Sequence, residues 1–278
     1  MPVERVLLDW SNLNVDPLML AIWLIAGALL GSFATMMVHR IPREIPLGLF
    51  PPHHRSICPQ CEKVIPWYRN IPILGFLMGR GRCSHCQKKI PIRYLVIEIT
   101  TCLLFGFNYV LCENSPLRPG EDLGFYLDLF KNQAFTLALI TTFFIDIDFR
   151  IIPDRFSLGG WVVALIFAGV VGSPPFLESL LGGLLGFGLF FGMALFYLKW
   201  KKIEGLGMGD VKMMGWVGSW VGFFAVPFVI LFASITGLIA GLLAMRHSKE
   251  GLRTAIPFGP FIALGTYFCW VLLMVGFW

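Results

Sequence analysis

PLMLAIWLIAGALLGSFATMMV, residues 17–38, runs for 22 residues without a charge. A helix needs about 20 mostly apolar residues to cross the hydrocarbon core of a bilayer, so this stretch predicts a membrane span. The 16 residues before it carry Glu4, Asp9 and Asp16 against a single Arg5. That is not the basic lead of a cleaved signal peptide, and the span is expected to be retained.

Further runs follow downstream. Residues 94–112 are interrupted only by Glu98, and residues 125–145 carry Asp128 and Lys131 at their leading end. Residues 156–177 and 179–198 come next, and residues 213–245 form 33 uncharged positions. The last run is too long for one span, and Pro227 near its middle predicts two short helices with a tight reversal. Residues 254–278 complete the set. The fold expected is an all-α polytopic membrane protein of about eight transmembrane helices. Composition agrees: 56% of the 278 residues are hydrophobic, 14% are charged and mean hydropathy is +0.74. Soluble domains are about 25% charged, which excludes a soluble enzyme, a disordered chain and a secreted disulfide scaffold. Gly182-x-x-x-Gly186 and Gly188-x-x-x-Gly192 predict close helix approach in the fifth span.

Basic residues orient the spans. With eight spans, the side that holds both termini carries only Arg5, Arg118 and Lys131, and the other 19 of 22 lie opposite. The termini are therefore expected outside, with the basic loops in the cytoplasm and an acidic outer loop at Glu113, Glu121 and Asp122. The organisation predicted is a first helix over 17–39, a cytoplasmic domain over 40–93 and a seven-helix membrane domain over 94–278.

The cytoplasmic loop contains Cys58-Pro-Gln-Cys61 and Cys83-Ser-His-Cys86. Paired C-x-x-C elements at this separation are near the spacing of small zinc sites. A loop this small needs such a staple to fold. Two disulfides are the alternative, but a cytoplasmic loop is reducing. Structural Zn2+ on Cys58, Cys61, Cys83 and Cys86 is the expectation. His39, His53, His54 and His85 are read as surface or interface residues, and Cys102, Cys112 and Cys269 as packing residues.

Acids at a membrane edge are costly and usually functional. Asp146 directly follows the third apolar run, in Ile145-Asp146-Ile147-Asp148. Asp210 closes Gly205-Leu-Gly207-Met-Gly209-Asp210 at the start of the sixth. Both lie at the same membrane depth, so a bundle can bring them face to face. Two facing carboxylates share a proton and perform general acid–base hydrolysis. On spacing alone other roles stay open: Asp210 and Asp154 as helix N-caps, and Asp148 as a partner of Arg150 or Arg155.

Together these residues resemble the bacterial type IV prepilin peptidases, intramembrane aspartic proteases with a Gly-x-Gly-Asp motif. Gly207-Met-Gly209-Asp210, Asp146-Ile-Asp148 and Ile152-Pro-Asp154 carry the resemblance. So do Gly31-Ser-Phe33, His39-Arg-Ile-Pro-Arg43, Ile65-Pro-Trp-Tyr68, Asn70-Ile-Pro-Ile73, the cysteine set and Pro257-Phe-Gly-Pro260. The resemblance implies Asp146 and Asp210 as the catalytic pair, with Gly207, Gly209 and Asp148 as motif support. It implies cleavage of the short basic leader of prepilins or pseudopilins, in type IV pilus or type II secretion systems, at the cytoplasmic face of the inner membrane. It further implies methylation of the new N-terminal amine by S-adenosyl-L-methionine, with Glu98 as the methyl-transfer candidate. The sequence has no glycine-rich methyltransferase fingerprint. The partners implied are prepilin-type substrates and the lipid bilayer, and no nucleic acid. Two rivals are a proton- or cation-coupled transporter, which would place acids at the bilayer midplane, and a non-enzymatic assembly protein, which would not need both aspartates.

Overall fold

The computed structural model describes residues 13–47, 56–58, 60–116, 123–202, 206–247 and 256–277. Among these the chain is helical: α1 (Pro17–Arg40), α2 (Leu74–Met78), α3 (Arg93–Asn114), α4 (Leu123–Phe149), α5 (Asp154–Val171), α6 (Phe176–Lys201), α7 (Met208–Val221), α8 (Val226–His247) and α9 (Gly259–Met274). All but the five-residue α2 fall on the apolar runs predicted to span. Among the described residues, five stretches are long and apolar enough to cross a membrane: Pro17–Arg43, Arg93–Asn114, Asp154–Val171, Phe176–Trp200 and Phe223–Arg246. Gly259–Met274 is a shorter apolar helix. At a 1.5 Å rise, the 14 residues of α7 extend only about 21 Å, against about 30 Å of hydrocarbon.

Two compact units emerge from the packing. One contains residues 10–114 together with 132–141. Here α1 starts on Asp16, whose side chain accepts the Leu18 N–H at 2.8 Å, with Pro17 in the first turn. α1 lies against α3 along Gly27 and Gly31. A Cβ on either would meet the α3 backbone at Thr101 and Cys102, or at Glu98, within 2.7–2.9 Å. Lipid tails are as apolar as leucine, so helices in a bilayer gain from close packing rather than from exclusion of water, and small residues permit it. Asn108 of α3 donates to Gln133 and Thr136 of α4 at 3.1 and 2.8 Å, a buried polar contact.

The other unit contains residues 115–131 and 142–278. Its centre is α7, in which every residue from Met213 to Val221 is buried. Gly182 and Gly186 of α6 meet the carbonyl oxygens of Gly218 and Met214 so closely that a Cβ on either would collide. A Cβ on Gly188 or Gly192 would meet nothing within 4 Å among the described residues, so there the first of the two predicted glycine pairs makes the close approach. On the α5 side, Trp161 lies over Gly215 and Trp216 lies over Gly160. Lys131 and Asp128 form a buried ion pair at 2.6 Å, and the same ammonium donates to the Ser173 carbonyl. Lys131, at the leading end of the run 125–145, is thus a buried partner of an acid.

Two boundaries differ from the sequence reading. The run 156–177 overshoots a helix end: α5 stops at Val171, capped by Gly172 at φ 74°, and Pro175 precedes α6. The reversal in 213–245 sits at Gly222 (φ 83°, ψ 168°), and Pro227 is in the first turn of α8. A proline is tolerated there because that N–H has no helical acceptor. A positive φ does end a helix, and glycine adopts it freely.

Candidate active site and metal centre

Asp146 lies in the last turn of α4 and is buried. Its Oδ2 accepts the backbone N–H of Gly259 at 3.0 Å. Gly259 is the first residue of α9, where unpaired N–H groups and the helix dipole favour negative charge. A Cβ at Gly259 would come within 2.6 Å of that same oxygen. Asp210 lies in the first turn of α7, whose N-cap is Gly207. Its carboxylate accepts the Gly207 N–H, and the two aspartates lie near enough to interact electrostatically. Ile152 fills the space between the starts of α7 and α9. A Cβ on Gly209 would be 3.2 Å from its Cβ, and one on Gly259 3.1 Å from its Cδ1.

Asp210 is therefore not an N-cap. It occupies the third helical position and reaches back to the cap N–H, as the acid of a capping box does. Asp154 is no cap either: Pro153 holds that position, and Asp154 pairs with Lys212 at 2.8 Å. Asp148 is exposed, while Asp146 two residues before it is buried. Two helical positions turn a side chain by about 200°, so one helix presents the two acids to opposite sides. Gly205 lies outside the described residues, as do His53, His54, Glu121 and Asp122. The sequence reading gave no role to the Gly259 N–H, although Pro257-Phe-Gly-Pro260 was visible in it. A proline just inside a helix start was its only signal.

The four loop sulfurs of Cys58, Cys61, Cys83 and Cys86 lie within 4.8 Å of one another. Cys58 and Cys86 are 3.9 Å apart, and Cys61 and Cys83 are 4.0 Å apart. A tetrahedron with metal–sulfur bonds of about 2.3 Å has edges of about 3.8 Å, so the cluster fits a metal ion. All four are free thiols, without disulfides. Two matching turns hold them. Cys58 N–H donates to Lys63 O and Glu62 N–H to Cys58 O, while Cys83 N–H donates to Lys88 O and Gln87 N–H to Cys83 O. Glu62 and Gln87 both have φ near +55°, and short antiparallel bridges, Ile57 to Val64 and Arg82 to Lys89, close the turns. The backbone N–H groups of Cys86 and His85 pull the Cys83 thiol down to about 6, whereas, against the Lys63 N–H, burial and the other three sulfurs push the Cys61 thiol up to about 11. His85 is exposed and His39 half-buried, and neither belongs to the cluster. Cys112 and Cys269 are buried.

Glu98 is buried on α3. Its Oε2 accepts the Ile73 N–H at 2.7 Å, and its carboxylate also accepts the Ser32 hydroxyl.

Residues 25–112 match the bacterial peptidase A24 N-terminal domain, and residues 133–242 match the type IV leader peptidase family. A prepilin leader peptidase/N-methyltransferase of Stutzerimonas stutzeri is 31% identical, over 91% of this chain and 89% of its own. The chain belongs to the type IV leader peptidase family. A Pseudomonas aeruginosa relative with the same name is also 31% identical, over the same shares of the two chains. The type 4 prepilin-like proteins leader peptide-processing enzyme of Escherichia coli is 34% identical, over 87% of this chain and 89% of its own. No solved structure matches. The first matched region holds the cysteine cluster and Glu98, and the second holds Asp146 and Asp210. Gly259 lies beyond both.

Proposed function

We propose that the chain removes the basic leader of type IV prepilins or pseudopilins at the cytoplasmic face of the bacterial inner membrane, using Asp146 and Asp210, and then methylates the new N-terminal amine. The single observation that carries this reading is the pair itself. Two acids from helices far apart in sequence are near enough to interact, and each accepts a glycine N–H.

Carboxylates that share a site keep one proton between them. The ionised member takes a proton from water, and the water oxygen attacks the scissile carbonyl carbon. The protonated member gives its proton to the developing oxyanion. On collapse of the tetrahedral intermediate the C–N bond breaks, and the leaving amine takes a proton from the pair. The glycine N–H groups hold each carboxylate in place without competing as bases. Gly207 and Gly209 keep the approach to Asp210 open, and Asp148 completes the motif that the resemblance carries. A prepilin presents its basic leader in water and an apolar helix in lipid, which puts the scissile bond at the boundary where Asp146 and Asp210 are proposed to lie.

Cys58, Cys61, Cys83 and Cys86 would hold structural Zn2+, with all four positions filled and none open to water. S-adenosyl-L-methionine would supply the methyl group. Glu98 belongs to the methyl-transfer half of the reading. The domain division at 17–39, 40–93 and 94–278, the eight-span count and the outward termini complete it. The loop 40–93 is then cytoplasmic, as its ten basic residues favour.

The decisive experiment is incubation of the detergent-purified protein with a synthetic prepilin and S-adenosyl-L-methionine, followed by mass spectrometry. A product that lacks the leader and carries one added methyl supports both halves. An intact substrate overturns the reading.

A further inference from the structure

Ile73 has φ 61° and ψ −56°, and the N–H of Leu74 donates to the carbonyl of Pro72. This is a classic-sense γ-turn, a rare and strained form, here centred on a β-branched residue at positive φ. Such backbone persists only where its surroundings over-determine it. The surroundings are Glu98. Its carboxylate, buried on α3, takes the Ile73 N–H and the hydroxyl of Ser32 on α1. Three segments separate in sequence therefore meet on one carboxylate.

The turn also launches α2, which leads back to the cysteine cluster. Gly75 sits directly against the Arg69 carbonyl, and the Phe76 ring lies over Gly81, two residues before Cys83. The carbonyl of Gly81 accepts the Ile90 N–H at 2.7 Å. A run of contacts thus extends from Glu98 through the turn and α2 to the second cysteine pair.

We infer that Glu98 is a positioning residue, which fixes the cysteine loop on the α1–α3 pair through Ile73 and Ser32, and that its part in methyl transfer is this positioning rather than proton abstraction. The two hydrogen bonds that Glu98 accepts both come from the protein itself, one from a backbone and one from a side chain. The functional clause rests on the methyl-transfer reading above, whereas the positioning clause does not.

The test compares Glu98→Gln with Glu98→Ala in the full-length protein. Glutamine still offers an oxygen to the Ile73 N–H, but cannot act as a carboxylate base. Hydrogen exchange of residues 70–78 should stay near wild type in Glu98→Gln and speed up at least tenfold in Glu98→Ala. Ser32→Ala should fall between them. With a pre-cleaved pilin peptide, Glu98→Gln should methylate within about threefold of wild type. Glu98→Ala should raise KM severalfold with kcat less affected. Unchanged exchange in Glu98→Ala overturns the positioning role. Abolished methylation in Glu98→Gln with normal exchange overturns the inference in favour of a base. A wild-type enzyme that never methylates counts against the methyl-transfer reading alone, and the exchange measurement still decides the positioning clause.

Discussion

The backbone N–H of Gly259 donates to Oδ2 of Asp146 at 3.0 Å, across 113 positions of sequence. The bond ties the start of α9 to the end of α4, and it leaves no room for a side chain at residue 259.

Gly259→Ala should therefore push Asp146 aside. Its Cβ would fall 2.6 Å from the carboxylate oxygen, and a displacement near 1 Å costs about 10²-fold in rate. Leader cleavage in a gel assay should fall by that order, while the circular dichroism and thermal midpoint stay near wild type. Unchanged cleavage would show that this contact does not set the geometry.

Asp146→Asn and Asp210→Asn should each abolish leader cleavage without loss of expression or metal. Asparagine still accepts the glycine N–H through its amide oxygen but cannot hold or release the shared proton. Asp148→Asn and Asp154→Asn should remain active, as one is exposed and the other pairs with Lys212. A cleavage-competent Asp210→Asn enzyme would sink the mechanism.

The cysteine cluster should bind about one zinc per chain, by elemental analysis of the purified protein. The double variant Cys58→Ser, Cys61→Ser should lose the metal and become protease-sensitive between residues 40 and 92. Full metal retention would refute a four-thiolate site.

Lys131→Met should destabilise the protein by about 3–5 kcal/mol, because it removes the ammonium that pairs with the buried Asp128 carboxylate. The double variant Lys131→Met, Asp128→Leu should recover much of that. Thermal unfolding in detergent reads both, and equal stability of the single variant and wild type would contradict the pairing.

Cysteine labelling should find residue 60 accessible only from the cytoplasm. The same holds for residues 203 and 249, and residue 117 should be labelled only from outside; these three lie outside the described residues. External labelling at 60 would invert the proposed topology.

Hydropathy alone located the helices, because a span of hydrocarbon demands a long uncharged run, and such runs are readable without partners. It misplaced their ends where a backbone torsion decides, at Gly172 and Gly222, since uncharged turns carry no hydropathy signal. The cysteine cluster was equally legible: each C-x-x-C pair closes its own local turn. The aspartates were visible as costly acids, but a single spacing could not separate catalysis from capping. Resemblance to a family supplied that choice.

The sequence by itself determined the membrane class and the four-cysteine set and singled out Asp146 and Asp210 as candidates, since each reading depends on composition or on neighbours a few residues apart. Only the tertiary structure decided which groups hold those acids. The Gly259 N–H on Asp146, the pairing of Lys212 with Asp154, the buried Lys131–Asp128 pair and the grip of Glu98 on Ile73 all join residues from different segments or successive turns. Contacts of that kind depend on how helices cross and how side chains are buried, and no local pattern encodes either.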